Sequence, residues 1–333
     1  MKPGFVYTSP HAVHRAWAES INAVFIEDRL TGYAIPTISR LIKSISTARK
    51  IPRGVNLLLC ESSSNLFTGA IWKSRNPECK LVLIASDPKW SFLSMMPWAK
   101  KKAYAWALSK LDLILATSPM MMEKFPETLK AKVRVVFPFA DTKRFSKQKA
   151  SLNSKNLIYT GRLSRDKGAD LVLESFKLIK QEFRESKLYF VGKSTTLPRE
   201  GNLRAQLEAQ NLQDVVYTGE VKNPEEYMKN CSILMSLART DAANISIVEA
   251  MCMGLIPIVS EGVGNKYIVS KLSPELIVHD ETEAAERVIT LWRAPKKVKA
   301  YSVKARRISQ YYNKENSLKL FKEAVSSLKL NPS

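Results

Sequence analysis

Two groups of residues in the second half of the chain have the types and spacing to do chemistry. In LIYTGRLSRDKGADLVLESF, Arg162 and Lys167 stand on a loop between an apolar run and a helical pattern that opens near Gly168. Two side-chain cations, the free N–H groups of a helix start and the helix dipole would all oppose the same anion, which suits a diphosphate. The same residues also read as a solvated basic turn with glycine chosen for its backbone freedom. In SLARTDAANISIVEAMCMGLIPIVSEG, Asp241 falls on an incoming loop. Glu249 falls inside a helix over about 244–253, among Ile, Val, Ala, Met and Cys, with Gly254 as its C-cap. A carboxylate in that company needs a partner. Either a ligand diol donates two hydrogen bonds to Glu249, or a nearby Arg or backbone N–H does.

These residues have to be positioned by the elements around them. Apolar runs recur between helical patterns: GFVYTS, GVNLLLCES, KLVLIASD, LDLILATS and VRVVFPFAD in front, then NLIYTG, KLYFVG, VVYTG, CSILMSLA and LIPIVS behind. Near-continuous apolar runs alternating with helices predict parallel strands with crossover helices, an α/β fold. Val172, Phe176, Ile179 and Phe183 fall at helical spacing, so the second half restarts its own strand-loop-helix unit. The polar stretch 143–156, KRFSKQKASLNSKN, reads as the linker. Domains are therefore expected at 1–146 and 147–302, with a final helical pattern in 303–333 packing back on the first.

Length and composition agree with this. A chain of 333 residues is comfortable for two domains, and 45% hydrophobic with 25% charged residues is ordinary for a folded protein. The four cysteines are scattered without CxxC spacing and there are only three histidines, so reduced structural thiols and no metal site are expected. Neither a signal-peptide pattern nor an apolar run long enough for a membrane span is evident, and a cytoplasmic location is expected. The net charge of +21 is spread over both halves and attracts polyanions: nucleic acid, an anionic membrane or phosphorylated substrates.

Four stretches together resemble the retaining glycosyltransferases of the GT-B fold, specifically family 4. They are GRLSRDKG at 161–168, the pair Val191 and Gly192, YTG at 217–219 and DAANISIVEAMCMGLIP at 241–257. The resemblance is clear over about 155–265 and implies two Rossmann-like domains with parallel sheets facing across a cleft. It implies that Arg162 and Lys167 hold the diphosphate of a nucleotide-sugar donor, UDP- or GDP-linked, and stabilise the charge that grows on it. Glu249 would accept from the ribose hydroxyls and Asp241 would touch the donor sugar, making Arg162, Lys167 and Asp241 the catalytic set. Gly161, Gly192, Gly219 and the backbone at Ala243, Asn244 and Ile245 would complete the donor site. Transfer would proceed with retention and without a cofactor or metal, onto a glycan or lipid-linked acceptor.

The chain departs from the family pattern in three places. Asp241 stands where Glu is usual, the glycine-rich loop after the first strand is missing, and Ser86 and Asp87 stand where a front-domain His is common. His11, His14, Arg15 and Asp87 are the acceptor-side candidates. In the segment 90–102, Trp90, Phe92, Leu93, Met95, Met96 and Trp98 precede Lys100, Lys101 and Lys102. This reads either as an anionic-membrane contact, giving a peripheral protein, or as an ordinary helix after Pro97 with Ala103, Trp106 and Ala107 in the core. The departures also leave open a non-catalytic descendant that binds a nucleotide sugar or a partner protein. No recognition-helix or RNA-binding signature accompanies the charge, so no specific nucleic-acid partner is expected.

Overall fold

The computed structural model describes residues 2–28, 38–87, 96–194, 196–197 and 201–328. The chain forms two compact units, Met1–Pro138 with Glu315–Ser333, and Phe139–Lys314.

The first unit is built on a six-stranded parallel sheet of order β2-β1-β3-β4-β5-β6. Its strands are β1 (Pro3–Tyr7), β2 (Val24–Glu27), β3 (Leu57–Glu61), β4 (Lys80–Ala85), β5 (Leu113–Ala116) and β6 (Val133–Val135). Leu57, Leu58, Leu59, Leu81, Val82 and Leu83 are wholly buried, as a sheet covered on both faces demands. The step from β1 to β2 runs one way along the sheet and every later step runs the other way. Right-handed crossovers then put helix Ala12–Glu19 on one face and helices Ile38–Arg49, Ser62–Arg75 and Trp98–Ser109 on the opposite face. Helix Lys314–Ser326 joins this unit: Phe321 stacks on Trp17 at 5.6 Å, and the Trp17 indole N–H donates to Ser317 Oγ at 3.0 Å.

The second unit has a parallel sheet of order β11-β8-β7-β12-β13-β14. Its strands are β7 (Leu157–Thr160), β8 (Leu188–Val191), β11 (Val215–Gly219), β12 (Ile233–Ser236), β13 (Ile256–Ser260) and β14 (Ile277–Val278). A two-stranded hairpin of β9 (Thr196–Leu197) and β10 (Gly201–Asn202) stands apart from it. All ten strands expected from the sequence are present. The additional strands are β2, whose apolar run at 23–26 was not among the ten, and the two-residue β14 and hairpin strands, which are too short to leave one.

The domain limits differ from those expected. The division falls between Pro138 and Phe139, and the chain returns to the first unit at Glu315. Residues 143–156 are not a free linker but part of the second unit. There the Ala150 N–H donates to Met253 O, the Ser151 N–H to Lys229 O and Ser154 Oγ to Asn230 O. A polar stretch is packed because its polar groups meet the carbonyls left open at helix ends. Residues 303–309 likewise continue helix Pro295–Ser309 of the second unit.

All four cysteines are free and buried. No helix among the described residues is long and apolar enough to cross a membrane.

Candidate functional site

In the second unit, successive strands step away from β7 in one direction through β8 to β11, and then from β12 in the other. The two loops that leave β7 and β12 therefore diverge at the carboxyl ends of the strands, where open α/β sheets bind ligands. The loop after β7 carries Gly161, Arg162 and Lys167, and the loop after β12 carries Asp241, Ala243 and Asn244. A pocket of ≈ 390 Å³ opens beside them, lined by Gly161, Arg162, Gly192, Val221, Pro224 and Ser246 among others. Gly161, Gly192 and Gly219 follow one another along the ends of β7, β8 and β11, linked by Gly161 N–H to Val191 O at 3.0 Å and Gly192 N–H to Gly219 O at 2.9 Å. A Cβ on Gly192 would lie 1.9 Å from Gly161 O, and its φ of +147° is one that side chains rarely adopt.

The two loops are tied to each other. The Arg239 N–H donates to Asp166 O at 2.9 Å, and the Arg239 guanidinium grips Asp170 with both nitrogens at 2.9 Å. Gly168 sits at φ +69°, where a Cβ would lie 1.9 Å from Leu237 O, and serves as N-cap residue of helix Ala169–Glu182. Lys167 Nζ meets Asp241 Oδ1 at 2.8 Å, with the Asp241 side chain nearly buried. Arg162 Nη2 meets Asp166 Oδ2 at 2.7 Å. Both expected cations are thus present and each is steadied by a carboxylate. Asp166 was not singled out from the sequence, although its place four residues after Arg162 was the visible signal. Burial alone would raise the Asp166 pKa, but the Ser164 hydrogen bond, Arg162 and Lys167 outweigh it and hold the carboxyl below its ordinary range.

Helix Ile245–Met253 starts at Asn244, whose side chain accepts from the Ser246 N–H at 3.1 Å, and ends at Gly254 with φ +90°. Ser246 and Glu249 are three residues apart and share a face of it. Glu249 makes no hydrogen bond or ion pair with the described residues, and burial raises its pKa to about 7. The expected alternatives resolve unevenly: an arginine, Arg144, lies close enough to oppose that rise but is bound elsewhere. Arg144 holds both oxygens of Glu225, at 2.8 and 2.7 Å, and also donates to Lys222 O at 2.7 Å and Asn223 Oδ1 at 3.2 Å. It thereby fixes the loop whose Glu220, Val221 and Pro224 wall the pocket. Nothing in the sequence near Arg144 pointed to this role, because its partners are some eighty positions away.

The acceptor-side candidates lie in the first unit, at the divergence of β1 and β3. His14 Nδ1 meets Glu61 Oε1 at 2.8 Å with both side chains buried, and the His11 N–H donates to the same oxygen at 3.0 Å. His11 also caps helix Ala12–Glu19 through its ring, and burial followed by the neighbouring His14 lowers its pKa. Asp87, after β4, accepts from the Ser63 N–H at 2.7 Å, covering the start of helix Ser62–Arg75. Arg15 stands apart from this group, exposed over the Phe25 ring of β2. Glu61, the hub, was missed in the sequence, though a charged residue ending a wholly apolar strand was a legible sign. Among the described residues no group of three or more His, Cys, Asp or Glu side chains could hold a metal.

The family described as Glycosyl transferases group 1 matches residues 141–308, half of the chain and nearly all of the second unit. In sequence the chain is similar to two proteins named GDP-mannose:cellobiosyl-diphosphopolyprenol alpha-mannosyltransferase. The one from Xanthomonas oryzae pv. oryzae is 28% identical over 180 residues, 52% of this chain and 46% of the relative. The one from Xanthomonas campestris is 27% identical over 152 residues, 44% of this chain and 40% of the relative. The matched stretch thus spans less than half the length of either relative. In structure the chain is similar to Anabaena HepE in complex with UDP and glucose, with TM-score 0.79, 15% identity and coverage of 98% of this chain and 100% of that one. It is also similar to sucrose-phosphate synthase from Thermosynechococcus elongatus, with TM-score 0.75, 13% identity and coverage of 98% and 100%. The paired parallel sheets are those of the GT-B fold, and the chain belongs to the glycosyl transferases group 1 family.

Proposed function

We propose that the protein transfers a sugar from a nucleoside-diphosphate sugar, UDP- or GDP-linked, to a hydroxyl of a glycan or lipid-linked acceptor. The reaction retains the anomeric configuration and needs no metal. The observation that carries this reading is the pair of cations before helix Ala169–Glu182: Arg162, which lines the glycine-walled pocket, and Lys167, which directly precedes the helix's N-cap Gly168.

The diphosphate lies against Arg162 and Lys167, which oppose the negative charge that grows as the glycosidic bond breaks. Their carboxylate partners keep both side chains in place before the donor arrives. Asp241 shares Lys167 with the diphosphate and orients a hydroxyl of the donor sugar. Glu249, which has no side-chain partner among the described residues, accepts from the two ribose hydroxyls. The helix opening at Ala243, Asn244 and Ile245 turns N–H groups toward sugar and phosphate. In the first unit, His11, His14, Asp87 and the hub Glu61 handle the acceptor hydroxyl. The names of the Xanthomonas relatives support a lipid-linked acceptor and a GDP-linked donor, whereas the ligand in the Anabaena structure supports UDP. The site of action is the cytoplasm, peripheral to the membrane.

A thermal-shift series with UDP-, GDP- and ADP-sugars identifies the donor, since a bound ligand raises the melting temperature by mass action. Transfer in the presence of EDTA, with the product anomer read by NMR, tests retention and metal independence. Donor binding without transfer or hydrolysis across the series would overturn the catalytic part of this reading.

A further inference from the structure

The three helices that cover one face of the first unit's sheet, Ile38–Arg49, Ser62–Arg75 and Trp98–Ser109, contain no Asp or Glu, while they contain Arg40, Lys43, Arg49, Lys73, Arg75, Lys100, Lys101 and Lys102. Ser62–Arg75 packs between the other two. Its Lys73 is paired with Asp112, whereas Lys43, Arg49, Lys101 and Lys102 on the flanking helices are exposed. Helix Pro295–Ser309 of the second unit also lacks Asp and Glu, but among its described residues Val303 is the one exposed large apolar side chain, so it does not pair the charge with an apolar stripe.

The same two flanking helices also expose large apolar side chains. On Trp98–Ser109, residues 98, 102 and 106 follow at intervals of four and form one outward stripe, opposite the buried Tyr104, Ala107 and Leu108. Trp98 is 70% exposed and Trp106 40%, so Trp106 is not the core residue that an ordinary domain helix would have made it. Lys102 lies over the Trp98 ring at 4.4 Å. On Ile38–Arg49, Leu41 is 44% and Ile42 61% exposed. These four are half of the eight large apolar side chains exposed among the described residues. Trp90, Phe92, Leu93 and Met95 of the segment read from the sequence lie outside the described residues.

Aromatic and aliphatic side chains interleaved with uncompensated cations match the chemistry of one surface: the headgroup layer of an anionic bilayer, with tryptophan rings at the acyl boundary and lysines among the phosphates. A nucleic acid would meet the charge equally well, but exposed Leu41 and Ile42 have no use on a phosphate backbone. We infer that this three-helix face docks the first unit onto an anionic lipid surface, through Trp98, Trp106 and Ile42 with Lys43, Lys101 and Lys102. This docking does not rest on the proposed transfer reaction, since it requires neither donor nor acceptor.

The test is co-sedimentation of the full chain with vesicles of phosphatidylglycerol and phosphatidylcholine, against vesicles of phosphatidylcholine alone. Binding to the anionic vesicles is expected, weakened by added salt, with the tryptophan emission shifted to the blue. Lys101→Gln and Lys102→Gln should each weaken it roughly fivefold, as about 1 kcal/mol per charge near the surface implies. Trp98→Ser combined with Trp106→Ser should weaken it further and abolish the blue shift. An unchanged melting temperature keeps misfolding out of the comparison, since both rings are exposed. Equal sedimentation of wild type and variants, no binding to anionic vesicles, or displacement from them by an RNA oligonucleotide of equal charge would each overturn the inference.

Discussion

Glu249 carries a carboxyl whose pKa is raised to about 7 by burial, opposed in part by Arg144. A carboxyl raised in this way is satisfied when protonated, so its contribution to stability is complete below the unfolded value and is lost as pH rises through about 7. Glu249→Gln should therefore leave the ligand-free melting temperature unchanged only below the ordinary glutamate value, near pH 4 or lower. At pH 8 it should stabilise the protein by about 1–2 kcal/mol, measured by calorimetry at the two pH values. Donor binding has the opposite slope. Ribose hydroxyls favour the ionised form, so nucleotide affinity should fall as pH drops from 8 to 6, and titration calorimetry on Glu249→Gln should show that slope flattened. For the cations, Arg162→Ala or Lys167→Ala should lower kcat/KM for transfer by roughly 10²–10³-fold, the usual effect of deleting one group opposing developing charge. Arg144→Met acts at a distance: it frees the loop at 220–224, so steady-state kinetics should show donor KM rising several-fold with kcat changing less.

At the scale of elements, the site depends on loops that cannot shift. Gly192→Ala would drive a Cβ to 1.9 Å from Gly161 O at a φ of +147°, and Gly168→Ala would meet Leu237 O in the same way. Each should destabilise the second unit by at least about 3 kcal/mol in urea unfolding, although neither removes a functional side chain. The sequence made these elements legible to the extent that they depend on local pattern. Apolar runs located ten strands, because strands buried on both faces need little else. The helix opening at Gly168 and the cap at Gly254 were readable because glycine marks them. The two-residue β14 is too short for such a run, and edge strand β2 was missed although residues 23–26 are apolar. Long-range partners were the other blind spot: Arg144 with Glu225, and His14 with Glu61, meet only because the topology brings strand ends and helix starts together. For the same reason 143–156 read as a linker, since its many polar groups are satisfied by carbonyls far along the chain.

At the scale of the whole molecule, the +21 charge gains a location. Part of it stands on helices without any Asp or Glu, the three over the first unit's sheet and Pro295–Ser309 of the second, whereas Arg162 and Lys167 beside the pocket are each matched by a carboxylate. The two units also differ in how the chain supplies them: the second is one continuous stretch, while the first needs residues from both sides of it. Ending the chain after Lys314 removes Phe321 from Trp17 and leaves the buried Trp17 N–H without Ser317. That truncation should cost the first unit about 3 kcal/mol or more, seen as a lower-temperature transition in calorimetry. Nucleotide binding by the second unit should persist in the same sample.

The return of Glu315–Ser333 to the first unit bears on how the protein is made. On the ribosome the second unit has all of its chain available before the first does, although the first begins to emerge earlier. Until helix Lys314–Ser326 leaves the exit tunnel, Trp17 and the apolar face around it stay uncovered, and the half-built unit is open to chaperones and proteases. The first unit should therefore close only when Glu315–Ser333 packs against a stretch made 300 residues earlier, as Ser317 does on Trp17.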